Sequence, residues 1–516
     1  LTRKANVKRE KAPRAGTDVT FWGLEGDPDD TPEPPATPAH EPVAHHILRH
    51  GGASRMRVIF IMSDTFRRDH LGAYGNRWIH TPNLDRLAGC SAVFDHAYIG
   101  SFPTIPARRD IHLGTGDRGV PFNRWRRIDP DEITLAQRLW DEEEIPSMLI
   151  TDTANSVTDG INVYKGFTAW AFNRGQEGDP CWLDANVPLG FPVPPDLIRY
   201  TSARWHQVLI NRAHRRVETD WFAPGTFQMA CDWLERNYRR DRFLLWVETF
   251  DPHEPWDPPK HYEDLYDPGF TGRRFDAPTY GIVKQLGITP REVQNIRARY
   301  AGEATMVDAA VGRLLRTVER LGILHDTMIV FTSDHGAYFD YPGDNGMICK
   351  ATALGADGRI MAGGEPPKQP VQHFPNYTGV ARIPLIIHLP GQRKGLRLKQ
   401  IAQPWDLTPT VLEAFGMPAP PEFLGQSLLP VIDGKVKKIR DVAVLGATHA
   451  EALTPRWLYA IWPGQRPPCL YDLREDPEQK RNVVSRNPAV VKRLHGAIIR
   501  FLRRQKLDEE LIASYQ

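Results

Sequence analysis

The chain predicts an α/β fold, a sheet covered on both faces, followed by a smaller antiparallel part. Three observations carry the prediction. Short apolar runs recur, each ending in acids or histidine: RVIFIMSD, RFLLWVETFDPH and TMIVFTSDHG. Runs of that kind suit strands buried on both sides. Helical patterns alternate with them, which is the signature of a sheet with helices on its faces. After about residue 430 the rhythm changes to short strand-like segments with no helix between them.

The elements follow in order. RVIFIMSD predicts a first strand with Asp64 at its carboxyl end. HTPNLDRLA predicts a helix, with Thr81 as N-cap and Pro82 at the first helical position. SAVFDHAYI is a second strand and leads into SFPTIPARRD, which reads as a turn beginning at Thr104. ITLAQRLWDEE predicts a helix and IPSMLITD a strand. From 155 to 240 the pattern is irregular and rich in Trp and Arg, with a helical section at WLERNYRR. RFLLWVETF is a strand that ends in DPHEPW. ATMVDAAVGRLLRTVERLG repeats apolar residues at three and four, a long helix. TMIVFTSDHG and RIPLIIHLPG are further strands. VLGATHA, WLYAIWP and CLYDLRED predict short antiparallel strands, and NPAVVKRLHGAIIRFLRRQ a last helix with Asn487 as N-cap. Three regions result: an irregular arm over 1–55, the α/β domain over 56–430 and a C-terminal subdomain over 431–516.

Composition excludes little. At 516 residues the chain is long enough for a large core. A formal charge of +2 gives no overall reason to expect nucleic acid. No apolar run is long enough to span a membrane. The basic opening LTRKANVKREKAPRA is not followed by an apolar signal core. Residues 16–42 are dense in Pro and Asp, which suits an irregular arm. The five cysteines, Cys90, Cys181, Cys231, Cys349 and Cys469, are scattered and odd in number. Reduced, cytoplasmic conditions are the simpler expectation.

Functional groups in such a fold gather at the carboxyl ends of strands. Asp64, Asp334 and His335 stand there, and are oxygen and nitrogen donors suited to a divalent cation. Such a cation would lower the pKa of the Thr104 hydroxyl and orient it. His253 is positioned to give a proton to a leaving group. Each residue also has a plainer reading: Asp64 as a helix cap, His253 as a turn residue, SDHG as a turn.

The segments SDTFRRDHLGAYGN, TPNLDRLA, SFPTIPARR, DPHEPW, SDHG, GDNGMICK, RIPLII, DLTPTVLEAFG and LYDLREDPEQKRN add a further signal. In their order and spacing, over residues 56 to 485, the chain resembles the sulfatase branch of the alkaline-phosphatase-like superfamily. Within it, the chain looks near the branch of phosphonate monoester hydrolases and phosphodiesterases. The resemblance implies an alkaline-phosphatase-like α/β/α sandwich with a smaller C-terminal antiparallel α+β subdomain. It implies metal acids at Asp64 and Asp334, with His335 beside them, and the nucleophile position at Thr104. Arg108 then matches the arginine of Cys-x-Pro-x-Arg, Lys350 the lysine that holds the transferring group, and His253 the histidine near the leaving oxygen.

The departures from that pattern carry weight. Thr104 stands where a sulfatase has the Cys or Ser that matures to formylglycine, and no cysteine here lies in that context. LITDTANS replaces the family's lysine and histidine, and Asn345 replaces a common histidine. Thr65 stands where many relatives have a second acid, which turns the metal expectation from Ca²⁺ towards Mn²⁺ or Zn²⁺. An unmodified threonine can form an ester that water then cleaves, a route well suited to phosphorus. At sulfur it lacks the aldehyde's elimination step. The expectation is a metal-dependent hydrolase of sulfate or phosphate and phosphonate esters, phosphorus favoured, acting on a small anionic substrate. A non-catalytic protein that binds anions is the alternative. A nucleic-acid module rests only on basic ends. A homo-oligomer is left open. Trp170, Trp182, Trp221 and Tyr338 are candidates for the leaving-group side or for the core.

Overall fold

The computed structural model describes residues 55–115, 125–158, 160–355, 357–359, 371–446 and 449–516. The arm expected over 1–55 lies, but for Arg55, outside them.

The sheet has eight strands: β1 (Met56–Ser63), β2 (Ala92–Ala97), β3 (Ser147–Thr151), β4 (Ala169–Phe172), β5 (Arg242–Thr249), β6 (Thr327–Thr332), β7 (Leu385–His388) and β8 (Leu396–Ala402). Their order is β8-β2-β7-β6-β1-β5-β3-β4. Only β7 runs against the rest. Alternation along the central strands decides the layers. Val58, Phe60, Met62, Leu244 and Trp246 belong to one apolar cluster, and Ile59, Ile61, Leu245 and Val247 to another. Both faces are therefore apolar, which is why these strands read as continuous apolar runs.

Helices cover each face. On the first face lie α1 (Thr104–Leu113), through Ile111, and α2 (Leu135–Glu143), through Leu135 and Leu139. The second face is covered by α3 (Phe222–Asn237) and the long α4 (Pro290–Arg320), through Phe227, Leu234, Val307 and Val311. The alkaline-phosphatase-like α/β/α core is thus present.

Capping follows the sequence in part. Thr134 and Thr289 accept backbone N–H groups at the starts of α2 and α4, and α4 opens with a full Thr289–Glu292 capping box. That box explains why α4 begins at Pro290, well before the ATMVDAAV pattern. Thr81 precedes the helix Pro82–Ala88 without a side-chain cap; its hydroxyl instead accepts Gly72 N–H and donates to Asp85. Asn487 likewise gives no side-chain cap to the last helix. The turn expected at SFPTIPARRD is corrected: Thr104 is the first residue of a ten-residue helix. Every residue of it is buried, and the packing overrides the two prolines, one of which falls in the first turn where its missing N–H costs nothing.

The C-terminal part is a four-stranded antiparallel sheet, β9 (Ala443–Gly446), β10 (Ala450–Leu453), β11 (Trp457–Trp462) and β12 (Arg466–Asp472). One of its faces packs on α5 (Pro488–Arg504) through Leu494, Ile498 and Leu502. Leu445, Leu453 and Leu458 on the other face join the first apolar cluster of the main sheet. A bridge between Ser101 and Gly446 brings β9 beside the segment that precedes Thr104.

Candidate active site

Parallel register builds the centre of the site. Met62 pairs with Thr332, so Asp64 and Asp334, each two residues further on, end adjacent strands side by side. On the other flank Ser63 pairs with Thr249, which sets Asp251 and His253 next to the same strand end. Asp64, Asp334 and His335 are fully buried and each offers a ligand atom within 4.8 Å of the others. Asp334 Oδ1 accepts the backbone N–H groups of Thr65 (2.9 Å) and His335 (2.8 Å). Thr65 donates its hydroxyl to Asp64 Oδ1 at 2.6 Å. His335 Nδ1 donates to Gly336 O at 2.9 Å, so its Nε2 carries the lone pair. Two oxygens and an imidazole nitrogen in one buried place fit a divalent metal ion.

The two carboxyls share their charge unequally. Burial pushes Asp64 well above the usual carboxylate range, and Asp334 adds to it. Burial also opposes ionisation of Asp334, yet His335, Arg108 and Lys350 together hold it below that range. Burial takes His335 down to about 3 against the pull of Asp334, with Lys350 pushing the same way.

Arg108 lies one helical turn from Thr104 and is fully buried. Its Nε donates to Glu248 Oε1 at 2.7 Å, and Nη2 to Asp64 Oδ2 at 3.0 Å. Nη1 donates to Asp334 Oδ2 at 2.8 Å and to Thr104 O at 2.9 Å. One guanidinium therefore ties the start of α1 to both acids. Four of its N–H groups are engaged by the protein's own oxygens.

Lys350 follows the short strand Met347–Cys349, and its Nζ reaches 3.1 Å from His335 Nε2 and 3.4 Å from Thr65 Oγ1. His253 is buried and stacked on Phe250, with ring centroids 4.0 Å apart. Its Nδ1 donates to Glu254 O at 2.7 Å. Burial lowers its pKa well below the ordinary histidine value, and Lys350 and Arg199 add to the effect, so His253 is neutral. Glu254 is held in turn by Arg199 and Tyr280.

Of the named aromatics, Tyr338 is buried, Trp221 donates its indole N–H to Asp257 O, and Trp170 and Trp182 are about half exposed. All five cysteines are free. Among the described residues, no helix is long and apolar enough to cross a membrane.

Glu248 escaped the sequence reading. A lone acid inside the apolar run RFLLWVET was the available signal. By alternation it shares a face with Trp246, the face that α1 covers, and there Arg108 meets Glu248 while His112 stacks on Trp246 at 4.4 Å.

The family model described as Sulfatase matches residues 57–116 and 220–417. An arylsulfatase of Clostridium perfringens (strain 13 / Type A) is 25% identical over 472 residues, 83% of this chain and 90% of that protein. The phosphonate monoester hydrolase of Agrobacterium radiobacter has a similar structure, with a TM-score of 0.65 at 20% identity, covering 88% of this chain and 97% of the other. The phosphonate monoester hydrolase of Silicibacter pomeroyi gives a TM-score of 0.62 at 20% identity, with 87% and 96% covered.

Proposed function

Because the chain belongs to the sulfatase family of ester hydrolases, we propose that it is a metal-dependent hydrolase that uses unmodified Thr104 as nucleophile and favours phosphate diesters and phosphonate monoesters. The observation that carries this reading is the tie from Thr104 through Arg108 to Asp64 and Asp334. It supports a threonine whose backbone carbonyl is anchored beside the candidate metal ligands, at the start of a helix, where backbone N–H groups favour an anion.

In this reading Asp64, Asp334 and His335 hold one divalent ion, and Mn²⁺ or Zn²⁺ suits the nitrogen donor better than Ca²⁺. When bound, the ion supplies Lewis acidity and a lower hydroxyl pKa. The chain's residues do the rest. The Thr104 oxygen forms a bond to phosphorus as the bond to the leaving oxygen breaks, and its proton passes to solvent water. His253 starts neutral, so its Nε2 is first a proton acceptor. A bound anion offsets the repulsion from Lys350 and lets that nitrogen hold a proton and pass it to the leaving oxygen. Lys350 steadies charge on the transferring group. Arg108 holds Thr104 and the two acids in register. Water then cleaves the threonyl ester and restores the hydroxyl.

The alternative, a protein that binds anions without turnover, draws on the engagement of Arg108 by carboxylates. A screen of an aryl sulfate, a phosphodiester and a phosphonate monoester, with divalent metals added back after chelation, separates the readings. Metal-dependent turnover of the phosphorus esters supports the proposal. No turnover of any ester with any metal supports the alternative.

A further inference from the structure

Glu248 gives this site a charge count that its ligand set alone does not have. It is fully buried, and Oε1 takes Arg108 Nε at 2.7 Å and Ser156 Oγ at 3.3 Å. Oε2 is buried with no hydrogen-bond partner. Three carboxylates, Asp64, Asp334 and Glu248, thus surround Arg108, and Lys350 is the second cation of the cluster. Counted as three carboxylates against two cations, the cluster carries one negative charge in excess. A divalent ion turns that excess into one positive charge. Without Glu248 it would be two.

We infer that Glu248 is a specificity-determining residue that matches the site to singly charged esters and disfavours doubly charged ones. The inference rests on the reading above, in which the ester group sits between Thr104 and Lys350. Glu248 touches no substrate; it acts through Arg108 and through its field. Removing its charge favours every anion, and favours a dianion twice as much as a monoanion. For charges roughly 8–12 Å apart at an effective dielectric of about 20, the dianion gains about 10- to 30-fold over the monoanion. Singly charged esters include phosphate diesters, phosphonate monoesters and sulfate monoesters. A phosphate monoester, with its second pKa near about 6, is the doubly charged class.

The test reads equilibrium binding, so it does not depend on turnover. Dimethyl phosphate is the monoanion and methyl phosphate, at about pH 8, the dianion. Their dissociation constants are measured by calorimetry on metal-loaded Thr104→Ala protein, alone and with Glu248→Gln. The expected result is a rise of about tenfold or more in the preference for methyl phosphate. Adding Thr65→Asp to Glu248→Gln puts a carboxylate back beside Asp64 and should restore the original ratio. A purely structural role for Glu248 would not be rescued in that way. An unmoved ratio, or one that Thr65→Asp fails to restore, overturns the inference. Should Glu248→Gln not fold, Thr65→Asp alone must move the ratio the other way, and an unchanged ratio there overturns it too. A shifted ratio, with no hydrolysis of any ester by the unsubstituted protein, would keep the inference and sink the proposed reaction. Binding of neither anion would sink both.

Discussion

Lys350 Nζ stands 3.1 Å from His335 Nε2, so the ammonium takes the same lone pair that a metal ion would need. The lysine and the ligand set are one electrostatic unit. The arrangement makes each member's removal legible in the behaviour of the others.

Replacing Lys350 with Met should lower kcat/KM by about 10²–10³-fold, the range for loss of one charge-stabilising donor. It should also let His335 take up a proton more readily, since Lys350 helps hold that imidazole at about 3. Metal affinity in the variant should then fall off at a higher pH than in the parent. Steady-state kinetics with metal titrations at several pH values check this. A folded variant with parent activity would refute the role.

Asp334→Asn removes one ligand and one partner of buried Arg108. Metal stoichiometry should drop, and stability should fall by about 3–5 kcal/mol, the cost of breaking a buried ion pair from one side. Metal analysis and denaturant unfolding measure the two effects. Unchanged metal content would sink the ligand assignment.

Metal binding should release a proton. Asp64 is held above the ordinary carboxylate range by burial and by Asp334, and a ligand must be deprotonated. The ionised form binds, so below the raised pKa affinity should fall by about tenfold for each unit of pH. Calorimetry in two buffers of different ionisation heat reads the number of protons released. An affinity that does not fall as the pH is lowered would refute the raised Asp64.

Thr104→Ala should abolish turnover while metal binding persists, because only the covalent step is lost. Thr104→Ser should retain activity, since it keeps the hydroxyl. Intact-protein mass spectrometry should show no oxidation at this residue. Retention of most activity by Thr104→Ala would defeat the nucleophile assignment, and turnover of sulfate esters alone would defeat the phosphorus preference.

Much of the fold was legible in the chain. RVIFIMSD, RFLLWVETF and TMIVFTSDHG read as buried strands because period-two alternation between two apolar faces leaves few polar positions inside them, Glu248 being the exception. The α/β/α layering followed from that and from the helices between. The candidate ligands Asp64, Asp334 and His335 were legible for a related reason: polar residues that close an apolar strand have few places to stand except its end. The helix at Thr104 was not legible. Two prolines and a short polar run carry turn signals, and tertiary packing, of Ile111 under the sheet and of Ile105 against Ile161 and Val163, favours the helix.

What the sequence by itself determined is the set of strand ends and the chemistry they carry: two acids and a histidine for a metal, a hydroxyl at Thr104, a cation at Lys350. Tertiary structure alone decided which of these share charge. Arg108 and Glu248 lie 140 residues apart. They meet because one turn of α1 spans the spacing between alternate residues of β5. Register and helix packing set that contact, and local propensity carries no record of either. In a buried site of low dielectric, a carboxylate brought in by packing weighs as much as one written into a motif.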